Sequence, residues 1–94
     1  MGVSIFNNNL TINEILTVKL LSAQNKLGDL ANYIKNMSKI TQAELALLAW
    51  KGRGDEITDE QYQLDYALEQ TKDHQFADYL AKMPLHTYLG DLGY

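Results

Sequence analysis

The residues that could carry chemistry are few: two histidines, a group of carboxylates near the middle of the chain, and six tyrosines. His74 lies one helical turn before Asp78, a spacing at which a carboxylate can orient a general base. No convincing nucleophile, HExxH zinc sequence or glycine-rich phosphate loop accompanies this pair. We therefore predict that the chain is not an enzyme and that both histidines are surface residues.

A second candidate chemistry is an oxygen-ligand cation site at the carboxylates of residues 55–60. Their spacing lacks the alternating ligands of an EF-hand loop. Acids at the start of a helix also complement the positive end of the helix dipole, which explains them without a ligand. Because the chain has no cysteine, disulfides and thiolate zinc sites are excluded. We predict neither a metal nor a cofactor.

The composition indicates one globular domain over residues 1–94, with residues 1–10 as a flexible arm. Residues 1–51 carry five lysines and three acids, whereas residues 52–94 carry nine acids, two lysines and one arginine, giving +2 and −6. The start of the chain lacks the basic and apolar regions of a secretory signal, and no apolar run is long enough to cross a membrane. We expect a cytoplasmic protein without a membrane segment, with leaderless secretion as the alternative.

One six-residue pattern occurs three times, as LTINEI, ITQAEL and ITDEQY. Each copy places a Thr where it can cap a helix and a Glu or Gln three residues later, which together form a capping box. Apolar residues on either side can form a hydrophobic staple. The pattern predicts three helix starts, with the box pairs Thr11 and Glu14, Thr41 and Glu44, and Thr58 and Gln61.

These starts predict an all-α bundle with a long, a short and a long helix, over residues 12–37, 42–51 and 59–83. The C-terminal apolar segment is expected to pack back on the bundle. Steps of four and three define the buried seam of the first helix, formed by Leu16, Leu20, Ala23, Leu27, Leu30, Ile34 and Met37. A change of phase in the third helix predicts a bend or break near residues 70–74, and Gly52 is expected to close the second helix.

The preferred functional hypothesis is a non-enzymatic protein-interaction module, such as an adaptor, an inhibitor or a subunit of a small assembly. Exposed aromatic side chains commonly anchor interfaces. The predicted contact residues are Tyr62, Tyr66, Tyr79, Tyr88 and Tyr94. Apolar positions left over on the first helix further suggest self-association.

An alternative hypothesis treats the acidic surface as an imitation of a nucleic-acid backbone that blocks a DNA- or RNA-binding enzyme. The acids concerned are Asp55, Glu56, Asp59, Glu60, Asp65 and Glu69. Direct binding of nucleic acid is not predicted, because the lysines are scattered and not interleaved with aromatic residues. Salt dependence would separate the two hypotheses, since a decoy's affinity falls steeply with ionic strength.

Two short motifs complete the set of candidates. Trp50-Lys51-Gly52 resembles the WXG turn of small helical-hairpin proteins secreted by type VII systems, and this resemblance implies a hairpin with its turn at residues 50–52. The tripeptide Arg53-Gly54-Asp55 matches the adhesion motif of integrin ligands, which we interpret as a chance match.

Overall fold

The computed structural model describes residues 9–94, which form six helices and no strand. The helices are α1 (Ile12–Ala23), α2 (Leu27–Lys35), α3 (Lys39–Arg53), α4 (Glu60–Gln70), α5 (Phe76–Lys82) and α6 (Leu85–Asp91). The prediction of a small all-α bundle is confirmed. None of the described helices is both long and apolar enough to cross a lipid bilayer.

The central element of the fold is α3, which packs against α4, α5 and α6. Every residue from 41 to 50 is buried, on all sides of the helix. The other main contacts join α1 to α6 and α2, and α2 to α5. The apolar LALLAW segment is buried because neighbours cover it in every direction.

The predicted continuous helix over residues 12–37 is wrong, because α1 ends at Ala23 and α2 begins at Leu27. Asn25 adopts a left-handed conformation with φ 58°, which Asn tolerates better than most residues. The backbone N–H of Asn25 donates to the carbonyl of Ser22, and that of Lys26 to the carbonyl of Leu21, each at 3.0 Å. These two bonds form a Schellman motif that terminates α1.

The predicted buried seam is also wrong over α1. Leu16 and Leu20 are exposed, whereas Ile15 and Val18, which fall off that seam, are fully buried. The α1 sequence is apolar on two sides, and the side that faces α6 and α2 is the one that is buried. Farther along the predicted seam, Leu27 is exposed as well.

The first capping box is confirmed, and the other two are wrong. The Thr11 side chain accepts from the Glu14 backbone, and the Glu14 carboxylate accepts from the Thr11 N–H at 2.9 Å. In contrast, α3 starts earlier than predicted, with Ser38 as its N-cap, and Asp59 caps α4 in place of Thr58.

The C-terminal end of α3 lies beyond Gly52, which was predicted to close the helix. The closing residue is Gly54, which has a left-handed φ of 105°. Residues 50–52 therefore lie inside α3, so the hairpin turn implied by the WXG resemblance is absent there. Gly52 is instead the point where α3 meets the backbone of α6 at Tyr88.

The predicted third helix over residues 59–83 is interrupted near the predicted position. The helix α4 ends at Gln70, and α5 begins at Phe76. The C-terminal apolar segment forms α6, which packs on α1 and α3 with Leu85 and Leu89 fully buried. This confirms that the segment folds back on the bundle.

The predicted arm over residues 1–10 lies mostly outside the described residues, but its last two residues are held in place. Leu10 is buried, and its backbone N–H donates to Oε1 of Glu44 at 2.8 Å. The backbone and side-chain nitrogens of Asn9 donate to the same carboxylate at 2.9 and 3.0 Å. Residues 9 and 10 are therefore part of the packed structure.

Candidate interaction groove

An open groove of about 870 Å³ lies between α2, the C-terminal ends of α3 and α4, and α5. Four aromatic residues from three helices line it: Trp50, Tyr66, Phe76 and Tyr79. Two of them, Tyr66 and Tyr79, are exposed over 50% and 43% of their surface. Leu27, at the start of α2, also lines the groove and is exposed as well.

The four rings form a connected set. The centroids of Trp50 and Tyr66 lie 5.9 Å apart with the rings tilted by 48°, and those of Phe76 and Tyr79 lie 5.7 Å apart and stacked. The indole N–H of Trp50 donates to the hydroxyl of Tyr79 at 3.1 Å, which joins the two pairs. Rings held in this way are preorganised, because little side-chain freedom is left to lose on binding.

The polar rim of the groove carries both signs of charge. Asp73, Asp78 and Lys82 line it, and Asp78 is 3.5 Å from Nζ of Lys35. Asp73 accepts a hydrogen bond from the backbone N–H of Gln75 at 2.9 Å, which fixes the loop between α4 and α5. A groove with an aromatic floor and a mixed polar rim suits a protein segment.

Arg53 and Asp55, the two charged residues of the adhesion-like tripeptide, pair with each other. Arg53 Nη2 lies 2.5 Å from Asp55 Oδ2, and Arg53 Nε lies 3.2 Å from Oδ1. This hydrogen bonding holds the pKa of Asp55 below its ordinary value and, with a smaller contribution from Tyr79, raises the pKa of Arg53. The charges that an integrin ligand presents to its receptor are here turned towards one another.

The five predicted tyrosines fall into two groups. Tyr66 and Tyr79 line the groove, and Tyr62 is exposed one helical turn before Tyr66. Tyr88 and Tyr94 are half-buried and pack against the core. The Tyr88 backbone meets Gly52 of α3, and Nζ of Lys19 in α1 donates to the main-chain oxygen of Tyr94. The structure therefore brings Tyr66 and Tyr79 together in the groove, whose lining does not include the C-terminal pair.

The six predicted acids are spread over the turn before α4 and along α4 itself. Four have partners within the chain, listed here as acid and partner: Asp55 and Arg53, Asp59 and the Tyr62 N–H, Asp65 and Gln61, and Glu69 and Lys72. Glu56 is exposed and Glu60 is half-buried. The acidic decoy stays a prediction, although local partners explain most of its carboxylates.

The histidine sites also differ from one another. Both His74 and His86 are exposed, as predicted. Only His86 has a described partner, since its Nδ1 lies 2.9 Å from Oγ of Ser22, and that Oγ also accepts from the His86 backbone N–H at 3.1 Å. Ser22 is buried, so this pair fastens α6 to α1. Among residues 9–94, no group of three or more His, Asp and Glu side chains could hold a metal ion.

The groove contains residues that sequence reasoning did not assign to a site. Trp50 was considered as an apolar helix position and as part of the WXG resemblance, Phe76 as an apolar position of the third helix, and Leu27 was expected to be buried. In the sequence, the only feature that could have marked Trp50 and Phe76 as site residues was the large size of their aromatic rings. Their convergence depends on how α3, α4 and α5 pack.

A comparison with protein-family models places the chain in a family. The model described as "Protein of unknown function (DUF3775)" matches residues 27–91, which is more than half of the chain. The chain belongs to this family. The groove-lining residues all lie within the part that matches the DUF3775 model, whereas α1 lies before it. No curated protein and no solved structure matches the chain.

Proposed function

We propose that the chain is a non-enzymatic protein-interaction module that binds an apolar segment of a partner protein in the aromatic groove. The observation that carries this proposal is the connected set of four rings in an open groove. Tyr and Trp are the residue types that most often dominate binding energy at interfaces. The absence of cysteine suits work in a reducing compartment such as the cytoplasm, which we include in the proposal.

The mode of binding follows from the shape and chemistry of the groove. Its walls are helices, so no free sheet edge among residues 9–94 offers backbone hydrogen bonds to an extended peptide. An apolar helix face placed against the rings satisfies such a groove through side-chain packing alone. We therefore expect the bound segment to be an amphipathic helix.

A peptide selection tests this proposal. A library of random peptides is displayed and selected against the immobilised chain, and the selected peptides are measured by the fluorescence of Trp50, the only tryptophan in the chain. Trp50 is buried at the base of the exposed Tyr66 and Tyr79, which it contacts, so we expect its emission to change when a peptide packs on those two rings. We expect selected peptides to carry apolar residues at helical spacing.

Variants of the groove residues test whether a selected peptide binds in the groove. Tyr66→Ser with Tyr79→Ser should weaken binding by about 30-fold or more, as expected for hot-spot aromatics. Tyr62→Ser is the matched control, since it removes an exposed tyrosine of α4 that does not line the groove. Selection of no peptide that depends on Tyr66 and Tyr79 would overturn the proposal.

Salt dependence separates this proposal from the acidic alternative. Binding through apolar packing should change little as ionic strength rises, whereas a nucleic-acid mimic should lose affinity steeply. Measuring the affinity of a selected peptide over a range of salt concentrations supplies this comparison.

A further inference from the structure

The apolar stripe predicted for one long helix is divided by the bend between α1 and α2. Leu16, Leu20 and Leu27 are exposed over 48%, 56% and 41% of their surface, whereas Leu30 and Ile34, farther along the same stripe, are fully buried. Steps of four and three residues place all of these side chains on one side of a straight helix. The bent chain therefore leaves the first part of the stripe in solvent.

The bend depends on one residue in a disfavoured backbone conformation. Asn25 has a φ of 58° and is the only non-glycine residue among residues 9–94 with a positive φ. This conformation is disfavoured for every residue that has a Cβ, although Asn tolerates it better than most. Residues 24–26 contain neither Gly nor Pro, so they can also adopt helical geometry. A right-handed Asn25 would join α1 and α2 into one helix over residues 12–35.

The surface that binds α1 is formed by the rest of the chain. The side of α1 that faces α6 and α2 is buried. Polar contacts fasten both of its ends, because the Glu44 carboxylate accepts from the backbone N–H groups of residues 9–10 and Ser22 Oγ accepts from the His86 backbone N–H. Glu44, His86, α2 and α6 all lie within residues 27–91, the part that matches the family model. We call this surface the α1-binding surface.

We propose that residues 24–26 act as a hinge that straightens, so that α1 leaves its own bundle and binds the α1-binding surface of a second copy of this chain. The structure shows what this surface binds, since it already holds α1, and α1 of a second copy offers the same contacts. Short, strained hinges favour such an exchange. Exchange in both directions closes the contact as a dimer. The inference does not depend on what the aromatic groove binds, so it stands or falls separately from the proposed function.

The exchanged dimer also gives a role to the exposed leucines beside the hinge. In a two-way exchange both straightened helices run from one bundle to the other, so their hinge regions pass close together. Leu20 and Leu27 lie seven residues apart, on either side of Asn25, and therefore on the same side of a straight helix. Contacts between these leucines of the two copies become possible only after the exchange.

Substitutions of Asn25 bias the hinge in opposite directions. Asn25→Ala disfavours the left-handed conformation and favours helix, so it should promote exchange, whereas Asn25→Gly accepts that conformation readily and should suppress it. Because a dimer contains two hinges, we expect the dissociation constant to be about 30-fold lower for the alanine variant than for the glycine variant. Gln24→Ala is the matched control, since Gln24 is exposed and already right-handed, and it should behave like the unaltered chain.

Sedimentation over a wide dilution series measures these constants. Each sample is first unfolded in urea and refolded at high concentration, which allows α1 to exchange. The species to be distinguished are the 10.7 kDa monomer and a dimer of twice that mass. Circular dichroism checks that each variant is folded, and Asn25→Gln replaces Asn25→Ala if the alanine variant is unfolded.

A disulfide between chains identifies the element that is exchanged. Oγ of Ser22 and Nδ1 of His86 lie 2.9 Å apart across the α1-binding surface, and the chain has no cysteine of its own. One chain carries Ser22→Cys and another carries His86→Cys, both with Asn25→Ala. After refolding together and oxidation, the mixture should give a covalent dimer that contains one chain of each kind. A single chain that carries both cysteines, without the hinge substitution, should form the same bond internally and so controls for geometry.

Three results would overturn the exchange. They are a monomer in every variant at every concentration, equal dissociation constants for Asn25→Ala and Asn25→Gly, and a dimer whose mixed cysteines do not bond although the double-cysteine chain does. If the double-cysteine chain forms no bond, isotope-filtered NMR on a refolded mixture of labelled and unlabelled chains replaces the disulfide. Contacts between α1 and α6 must then appear between chains, and a dimer without them contradicts the exchange equally.

Discussion

The first and second copies of the capping-box pattern are similar in sequence, but the first lies in a partly exposed helix and the second in a buried one. In α1, LTINEI forms the expected box, and one side of the helix stays in solvent. In α3, ITQAEL lies inside a helix that has already begun, and Glu44 is only 1% exposed. Between these two copies, the pattern sets the helix start where its residues are exposed and fails where other elements surround the helix.

The position of Glu44 explains why the predicted capping box with Thr41 does not form. Its carboxylate accepts three N–H groups from Asn9 and Leu10, so it fastens the chain before α1 to the central helix. A buried carboxylate needs such donors, because burial without them is costly. Ser38 caps α3 instead, because its Oγ accepts a hydrogen bond from the Thr41 N–H at 3.2 Å.

The largest expected effect contrasts a leucine of α3 with one of α1. Leu47→Ala should lower the free energy of unfolding by about 2–5 kcal/mol, because a fully buried side chain leaves a cavity. Leu16→Ala should change it by less than about 0.5 kcal/mol, because that side chain is half in solvent. Urea unfolding of both variants at low protein concentration measures the difference. Equal losses at the two positions would contradict the contrast between the helices.

The second prediction compares Glu44 of ITQAEL with Glu14 of LTINEI. Glu44→Ala leaves the donors of Asn9 and Leu10 without their acceptor, and should cost about 2–3 kcal/mol. Glu14→Ala removes one exposed half of a capping box and should cost at most about 1 kcal/mol. Hydrogen exchange adds a local readout, since the Leu10 amide should lose protection in the first variant only. Retained protection would show that Glu44 does not hold this segment.

The third prediction uses two glycines in different surroundings. A Cβ at Gly52 would lie within 2.7 Å of the Tyr88 carbonyl carbon, so Gly52→Ala must push α6 away from α3. We expect a loss of about 1–2 kcal/mol in the free energy of unfolding. At Gly28 a Cβ meets nothing within 4 Å, so Gly28→Ala should raise stability by about 0.5–1 kcal/mol. Thermal unfolding of the two variants should therefore shift in opposite directions.

The all-α class and several element boundaries could be predicted from the sequence because their causes are local. Thr11 and Glu14 form their box within four residues, and the change of apolar phase marks the break after Gln70. The break at Asn25 was missed because it has neither Gly nor Pro, and the apolar seam runs through it. Its left-handed conformation is visible only in the folded chain.

The error in the buried seam of the first helix has a different cause, which is that burial depends on neighbours distant in sequence. In α1, the Leu16 side and the Ile15 side are both apolar, and only the positions of α6 and α2 decide which one is buried. The groove likewise depends on how helices that are distant in sequence pack together. Size and residue type suggested Tyr66 and Tyr79 as contact residues, but their placement beside Trp50 required the packing of three helices, and their binding role stays a prediction.

The smallest expected effect lies at the exposed C-terminal end of α3, which is in solvent like the outer side of α1. Hydrogen bonding to Arg53 lowers the pKa of Asp55 from its ordinary value of 3.8, and slight desolvation opposes this. Because the folded-state pKa is the lower one, the pair contributes stability above pH 3.8, and the contribution is lost as pH falls through the folded-state pKa. Asp55→Asn should therefore destabilise the chain slightly at neutral pH, less so in high salt, and not at all at strongly acidic pH. A carboxyl titration followed by NMR should show the Asp55 midpoint rising in Arg53→Gln, and an unchanged midpoint would mean that the exposed pair does not form in solution.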